Sequence, residues 1–252
     1  MSYSITKEID RITFTITRPE VRNAVNYEVM EGFEQFIDQL EHEPSLKWGI
    51  ITSEGGKAFC SGGDLGEFHA LETAEEALPM LTRMTELLYR LATLPIPTIA
   101  LMDGAAVGGG CEIAAACDYR LMKTGAKAGF IQGTLAITTG WGGASLLYEK
   151  ERSHSKVLRF LTEARVHDSQ SLYEWEWLTN VYSESKEEAL LEFIAKSEHV
   201  DAAVLQAYKS ISIRKWEKTG LKERMLAECK QCSTLWESDA HHAAVAKFRS
   251  RT

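Results

Sequence analysis

The stretch Ala105-Ala-Val-Gly-Gly-Gly-Cys-Glu-Ile-Ala-Ala-Ala-Cys-Asp118 decides how this chain folds. The apolar run Ile99-Ala-Leu-Met102 precedes it and predicts a short buried strand. Three glycines then lead into small residues that suit a closely packed helix, and a backbone without Cβ atoms admits a ligand at close range. The first N–H groups of a helix have no partner inside it and carry partial positive charge. This junction therefore predicts a cradle for an oxygen that gains negative charge, with the carboxylate of Glu112 beside it.

A second glycine-rich stretch follows another buried strand. The segment Lys47–Ser53 predicts this strand, and the sequence after it is Gly55-Gly-Lys-Ala-Phe-Cys-Ser-Gly-Gly-Asp-Leu65. Glycines at a single junction are also compatible with a simple packing turn. Two loops that each present backbone N–H groups, together with a carboxylate, form the parts of an oxyanion site with an acid/base group. The pair of loops therefore favours catalysis over packing alone.

Length, composition and charge fit a globular protein that acts on a small molecule. The 252 residues suffice for one α/β domain, or for a main domain with a helical appendage. A formal net charge of −8 without any Lys/Arg block argues against nucleic acid or an anionic membrane as partner. No apolar run approaches the roughly 20 residues that span a bilayer. The segment Met1–Glu8 lacks the apolar region of a signal peptide, so we expect a cytoplasmic protein.

The cysteines and histidines do not predict a metal site or a disulfide framework. Five cysteines are present, and Cys229-Lys-Gln-Cys232 is a single CxxC pair without a second pair to complete a zinc site. His241-His242 likewise lacks companions at metal-ligand spacing, which favours a solvated helix face. We therefore expect neither a metal nor a separate cofactor.

The remaining pattern predicts alternating strands and helices, followed by a helical end. Ile12–Ile16 alternates as a strand does, Asn26 suits the N-cap of the next helix, and Trp48–Thr52 forms the following strand. This βαβ-like beginning favours mostly parallel pairing. The further predicted elements are a helix that starts with a capping box at Thr73–Glu76, strands at Tyr119–Met122, Ala128–Ile131 and Val181–Tyr182, a helix opened by Gly140–Gly143, and helices at Glu187–Lys196, Ala202–Lys218 and Leu221–Trp236.

Taken together, these motifs resemble the crotonase (enoyl-CoA hydratase/isomerase) superfamily. Lys57–Leu65 and Gly108–Glu112 carry the resemblance, and Arg18–Ala24, Phe130–Gly143 and Asp239–Arg251 are similar to further segments of the family in the same order. The resemblance implies an α/β fold, with a spiral core of stacked ββα turns over residues 1–190. It also implies a C-terminal helical region, residues 191–252, that builds trimers in relatives.

We therefore expect a homotrimer or a dimer of trimers. The C-terminal helices Leu221–Trp236 and Asp239–Arg251 carry many apolar residues for a terminal appendage, Leu221 and Met225 among them. Exposing these residues on a monomer leaves a larger apolar patch than soluble monomers usually show.

The resemblance also implies the substrate and the roles of individual residues. Family substrates are acyl-CoA thioesters, whose reactions pass through an enolate with charge on the thioester oxygen. The backbone N–H groups of Gly63 and Gly109 are then the oxyanion donors, and Glu112 is the acid/base group. CoA is part of the substrate rather than a bound cofactor. Residues implied in binding it or the acyl group are Arg22, Ala24, Lys57, Ala58, Leu65 and Trp141.

One family glutamate is missing. Hydratases of the family carry a second catalytic glutamate four residues after the phenylalanine that matches Phe130, and here Thr134 stands in that place. A threonine hydroxyl can orient a water molecule or a substrate group but cannot act as a carboxylate base at neutral pH. The segment before Gly140-Trp-Gly-Gly143 is also shorter than in hydratases and is similar to the ethylmalonyl-CoA decarboxylase branch.

Three hypotheses follow from this pattern. The first is an enzyme that decarboxylates or isomerises an acyl-CoA with Glu112 alone, with decarboxylation of a 2-carboxyacyl-CoA favoured. The second is an enoyl-CoA hydratase in which another carboxylate, such as Glu67, replaces the missing one. The third is a non-catalytic acyl-CoA-binding or assembly protein that retains the cradle.

Overall fold

The computed structural model describes residues 1–250, so the last two residues of the predicted C-terminal region lie outside it. The strands are β1 (Tyr3–Lys7), β2 (Arg11–Ile16), β3 (Trp48–Ser53), β4 (Ala58–Cys60), β5 (Thr98–Met102), β6 (Ala105–Val107), β7 (Tyr119–Lys123), β8 (Lys127–Gly129), β9 (His167–Asp168) and β10 (Asn180–Tyr182). The helices are α1 (Tyr27–Glu41), α2 (Leu65–Phe68), α3 (Ala74–Thr93), α4 (Gly109–Ala116), α5 (Gly143–Lys150), α6 (His154–Thr162), α7 (Ser169–Glu174), α8 (Lys186–Ala195), α9 (Ala202–Lys218), α10 (Leu221–Trp236) and α11 (Asp239–Arg249). Short 3₁₀ turns cover Pro19–Val21 and Gln132–Leu135.

The strands form two sheets that are wound as a spiral. The larger sheet has the order β1-β2-β3-β5-β7-β10, and the smaller has the order β4-β6-β8-β9. Pairing is parallel except between β1 and β2 and between β8 and β9. In each of three successive turns, the first strand joins the larger sheet, the second joins the smaller sheet, and a helix follows. These turns are β3-β4-α3, β5-β6-α4 and β7-β8-α5, which confirms the expected α/β spiral of ββα turns.

Local signals in the sequence account for where these elements begin. The Asn26 side chain accepts the backbone N–H of Val29 at the start of α1, and Thr73 and Glu76 form the predicted capping box of α3. Strands β3 and β5 are buried along their whole length, as expected for parallel strands covered on both faces. The short strand β9 was not predicted, because two residues are too few to show a period.

Helices cover both faces of the larger sheet. On one face, Phe33 and Phe36 of α1 pack against Phe14 of β2. On the other face, Leu190 and Ile194 of α8 belong to a separate apolar cluster with side chains of β3, β5 and β7. The boundary predicted at residue 190 therefore falls inside a helix that packs on the sheet, and the division of the chain at that point stays a prediction.

The C-terminal helices pack against the rest of their own chain and bury apolar residues that the sequence predicted to be exposed in a monomer. Leu221 and Met225 of α10, which we expected to be exposed in a monomer, are buried inside the chain. Cys229 and Cys232 are buried as well, so the CxxC pair belongs to the core. His241 of α11 is also buried, which corrects the expectation of a solvated histidine pair. No helix within residues 1–250 combines the length and the apolar character that crossing a membrane requires.

Candidate active site

The two predicted oxyanion loops touch each other. Gly108 has a φ of +56°, which ends β6 abruptly and starts α4 at Gly109, so the Gly109 N–H lies in the first helical turn and has no acceptor inside the helix. On the other loop Gly62 has a φ of +96°. A Cβ atom on Gly62 would lie only 3.1 Å from the nitrogen of Gly109. The structure therefore brings the loop of Gly63 to the N-terminus of α4, as predicted.

A short backbone bridge orients Gly63. The N–H of Val25 donates to the carbonyl of Gly62 and the N–H of Asp64 donates to the carbonyl of Val25, both at 2.8 Å. Val25 and Gly63 thus form an isolated parallel bridge. Peptide groups alternate in direction along an extended chain, so the N–H of Gly63 itself points away from Val25 and takes no part in the bridge.

The side chain of Trp141 lies over both glycines. A Cβ atom on Gly109 would come within 2.2 Å of Cζ3 of this indole, and one on Gly63 would lie 3.6 Å from Cζ2. Trp141 is only 4% exposed. The indole therefore leaves room only for glycine at position 109. Trp141, predicted as a substrate-binding residue, is part of the wall of the cradle.

Glu112 is buried beside the cradle and is held by one segment of the chain. Its Oε2 accepts the N–H groups of Trp141 at 2.8 Å and of Gly143 at 2.9 Å. Its Oε1 accepts the side-chain amide of Gln132 at 3.0 Å and the N–H of Gly140 at 3.3 Å. Every donor comes from the segment that precedes or opens α5. This segment therefore fixes the position of the carboxyl group.

The surroundings of Glu112 favour its protonated form. Burial, assisted by the negative charge of Glu228, raises its pKa to about 8, and the N–H groups of Gly143, Trp141 and Gly140 oppose this shift. The carboxyl group therefore takes up a proton at neutral pH far more readily than an exposed glutamate does. It can give this proton to a carbon atom that becomes negatively charged.

The two side chains considered as partners of Glu112 point elsewhere. Thr134 is exposed and its hydroxyl donates to the carbonyl of Ile131 at 2.7 Å, within its own 3₁₀ turn. Glu67 is exposed and accepts the N–H of Tyr27 at the start of α1. In the described part of the chain, the structure places neither side chain against Glu112.

The residues predicted to bind CoA gather at one edge of the site. The N–H of Ser61 donates to the carbonyl of Arg22 at 3.2 Å, which joins the first segment to the Gly63 loop. Ala24 and Ala58 are buried, whereas the side chains of Arg22 and Lys57 are exposed beside them. Leu65 stands apart: it begins α2 and lines a surface pocket together with α11.

Three residues to which the sequence pattern assigns no role support this edge: Asn23, Arg18 and Asp64. The Asn23 side chain donates to the carbonyls of Ala58 at 2.7 Å and Glu54 at 2.9 Å. Arg18 pairs with Asp64 at 2.8 Å, and both side chains are mostly buried. These contacts hold the segment before α1 against the Gly63 loop. The sequence shows only that polar residues occur within these motifs; their burial follows from contacts between distant segments.

Comparison with known proteins shows the family of this chain. The family model described as enoyl-CoA hydratase/isomerase matches residues 6–250, so the chain belongs to the enoyl-CoA hydratase/isomerase family, the crotonase family. It is 29% identical over 251 residues to ethylmalonyl-CoA decarboxylase of Gallus gallus, covering 98% of this chain and 83% of that protein. It is 31% identical over 176 residues to mitochondrial methylglutaconyl-CoA hydratase of Mus musculus, covering 70% of this chain and 55% of that protein.

The fold is shared with solved structures of the family. One is an enoyl-CoA hydratase from Mycobacterium avium subsp. paratuberculosis K-10, with a TM-score of 0.86 and 21% identity, covering 100% of this chain and 96% of that chain. This likeness supports the spiral of ββα turns with its C-terminal helices.

Proposed function

We propose that this protein is a decarboxylase that removes the 2-carboxylate of a short carboxyacyl-CoA. The observation that carries the proposal is Glu112, a buried carboxyl held by N–H groups beside the two-loop cradle, with an exposed Thr134 where hydratases of the family carry a second glutamate. The similarity to ethylmalonyl-CoA decarboxylases supports the same reaction.

The cradle and the carboxyl of Glu112 act in different steps of the proposed reaction. The bond between C2 and the carboxylate carbon breaks, carbon dioxide leaves, and the electron pair forms an enolate whose negative charge lies on the thioester oxygen. In our proposal the N–H groups of Gly63 and Gly109 donate to that oxygen. Glu112 then gives its proton to C2, which yields the shortened acyl-CoA, and water returns a proton to Glu112 afterwards. One proton donor is enough for this sequence.

Recognition of CoA is assigned to the edge formed by Arg22, Ala24, Lys57 and Ala58. Backbone groups of the two alanines fit contact with the adenine and pantetheine parts, and the exposed cations fit contact with phosphates. Trp141 limits the space beside the reacting carbon, because its ring already lies against both glycines. We therefore assign short acyl chains to the site.

Hydration is the second candidate, because a methylglutaconyl-CoA hydratase is among the relatives. Adding water to a double bond requires a base to activate the water, and in hydratases of the family two glutamates share that work. Thr134 and Glu67 do not supply this base in the structure, as their side chains bond elsewhere. A non-catalytic acyl-CoA-binding or assembly protein is the third candidate, and the mass-spectrometry experiment below distinguishes it from both enzymes.

We also propose that the protein assembles as a homotrimer or a dimer of trimers. The support comes from α9, where Val204, Tyr208 and Ile211 are 44%, 71% and 57% exposed. Their spacing places them on one face of the helix. An apolar stripe of this kind is more stable when another subunit covers it.

Mass spectrometry of reaction products tests the proposed activity. Purified protein is incubated separately with methylmalonyl-CoA, ethylmalonyl-CoA and crotonyl-CoA. We expect loss of carbon dioxide from at least one of the first two, strongly reduced in Glu112→Gln, and little hydration of crotonyl-CoA. Hydration at rates typical of enzymes, ~10 s⁻¹ or more, without decarboxylation would establish the hydratase instead. Binding without turnover of any thioester would establish the non-catalytic protein.

A further inference from the structure

A second carboxylate, Glu228 of α10, binds the same part of the chain as Glu112. Its Oε1 accepts the hydroxyl of Thr139 at 2.5 Å and the N–H of Ala144 at 3.1 Å. Its Oε2 accepts both the N–H and the hydroxyl of Ser145 at 2.7 Å. Glu228 is thus fixed by four hydrogen bonds, although it lies far from this segment along the sequence.

The two carboxylates meet at the N-terminus of α5. Glu112 accepts the N–H of Gly143, and Glu228 accepts the N–H of the next residue, Ala144. The first N–H groups of a helix attract negative charge. Among the ion pairs of residues 1–250, neither carboxylate has a cationic partner. Two full negative charges at one helix end and away from water would repel each other, so the pair favours a single negative charge and one proton.

The other titratable groups that face Glu112 are thiols. Cys111 lies on α4, and Cys229 and Cys232 lie on α10. Burial raises the pKa of each of these thiols, so they are uncharged at neutral pH. Helix α3 presents threonine hydroxyls here, for example Thr85, which donates to the carbonyl of Gly140. Glu228 is therefore the charge that acts on Glu112.

We infer that Glu228 is a positioning residue of the active site, which anchors the start of α5 and keeps the neighbouring Glu112 carboxyl protonated as the proton donor. Burial raises the pKa of Glu228 as well, but the negative charge stays on Glu228, because it receives two hydroxyl bonds and Glu112 receives none. Glu112 also lies deeper, at 2% exposure. Glu228 exchanges no proton with substrate and acts through Glu112. The use made of that proton rests on the proposed decarboxylation, but the coupling of the two carboxyl groups does not.

Infrared difference spectroscopy tests the coupling without any substrate. The carbonyl band of a protonated carboxylic acid is followed against pH in the wild type, in Glu112→Gln and in Glu228→Gln. The band that is missing in Glu112→Gln is assigned to Glu112. We expect Glu228→Gln to move the titration of this band to lower pH by roughly 1 unit or more, because a nearby negative charge is removed. In Glu228→Gln, the loss of decarboxylation rate with rising pH should then begin at a lower pH than in the wild type, while KM stays unchanged.

Glu223→Gln is the matched control, since it removes a negative charge from an exposed position on the same helix. It should leave the titration of Glu112 in place. If Glu228→Gln does not fold, Glu228→Ala replaces it, because it removes the same negative charge and should likewise move the titration of Glu112 to lower pH.

The outcomes separate this inference from the proposed function. An unchanged Glu112 titration in folded Glu228→Gln or Glu228→Ala overturns the positioning role, whatever the enzyme catalyses. A shifted titration in a protein that decarboxylates nothing leaves the coupling intact and overturns only the proposed reaction.

Discussion

The indole of Trp141 and the Cα of Gly109 are in such close contact that a single added methyl group has no room. A Cβ atom at position 109 would lie 2.2 Å from Cζ3 of the ring. Gly109→Ala should therefore displace Trp141, destabilise the protein by roughly 1–3 kcal/mol and lower kcat. If the clash with the ring is the cause, Gly109→Ala should cost clearly less stability in a Trp141→Ala background than in the wild type, as measured by urea unfolding of the double-mutant cycle.

Gly125→Ala is the control for this experiment. Position 125 has a φ of +81°, but nothing lies within 4 Å of the added methyl group. It should cost only the strain of the left-handed conformation, about 1–2 kcal/mol, and leave turnover unchanged. A stable and fully active Gly109→Ala would contradict the close contact.

Removing the N–H of Gly63 tests the cradle from the other loop. Gly63→Pro deletes this donor, and we expect kcat for the carboxyacyl-CoA to fall ~10²–10³-fold, which is typical for the loss of one oxyanion donor. Circular dichroism must show native secondary structure, because the new ring also approaches Phe68. Near wild-type turnover in a folded variant would mean that the thioester oxygen binds elsewhere.

The buried proton on Glu112 should make stability depend on pH. The pKa of Glu112 is raised from 4.5 to about 8 in the folded protein, so the folded state holds this proton more tightly than the unfolded chain. This contribution is complete below about pH 4.5 and is lost as the pH rises through about 8. Relative to wild type, Glu112→Gln should gain on the order of a few kcal/mol in free energy of unfolding between pH 5 and pH 8.5.

Urea unfolding at several pH values measures this difference. Glu67→Gln is a suitable control, because Glu67 is exposed. Its free energy of unfolding should follow that of the wild type across the range. Parallel curves for Glu112→Gln and wild type would show that the Glu112 carboxyl is ionised in the folded protein.

Asn23 should be essential for the edge assigned to CoA. It is 1% exposed, bonds the carbonyls of Ala58 and Glu54, and has a φ of +56°, which asparagine tolerates better than most residues. Asn23→Ala leaves the buried carbonyl of Ala58 and the partly buried carbonyl of Glu54 without this donor and should cost roughly 2–3 kcal/mol. Thermal unfolding measures the loss. Asn180→Ala, at a partly exposed site in β10, should cost clearly less.

The exposed stripe on α9 should control assembly. Tyr208→Glu combined with Ile211→Glu places two charges in the proposed interface, so light scattering at micromolar concentration should change from a multiple of the chain mass toward that of a single chain. Tyr173→Glu, at another exposed tyrosine, should leave the assembly intact. A wild-type protein with the mass of one chain would contradict the proposed trimer.

The sequence predicted the parts of the fold and site that depend on neighbouring residues. Gly109 and Glu112 share one helical turn, so their proximity follows from the α4 motif alone. The capping box at Thr73 and Glu76 is equally local. Contacts between distant segments were not predictable in this way. Glu228 lies on an ordinary amphipathic helix, and no local pattern indicates that its carboxylate reaches Ser145.

Two further differences have physical causes. A helical period shows that one face of α10 is apolar, but it cannot show whether α3 of the same chain or another subunit covers that face. The sequence predicted Thr134 at the position of the second glutamate only from its distance to Phe130 along the chain. The shorter segment instead forms a 3₁₀ turn that ends with Ala136 in a left-handed conformation, and this turn directs the Thr134 hydroxyl to the carbonyl of Ile131.

Trp141 performs its two tasks with different parts of the residue. Its ring shapes the space over the glycines, whereas its main-chain N–H holds the carboxyl of Glu112. A substitution at this position changes the ring but keeps the N–H, unless proline is introduced. The space over the glycines can therefore be changed by substitution at position 141 while the main chain still holds the acid in place.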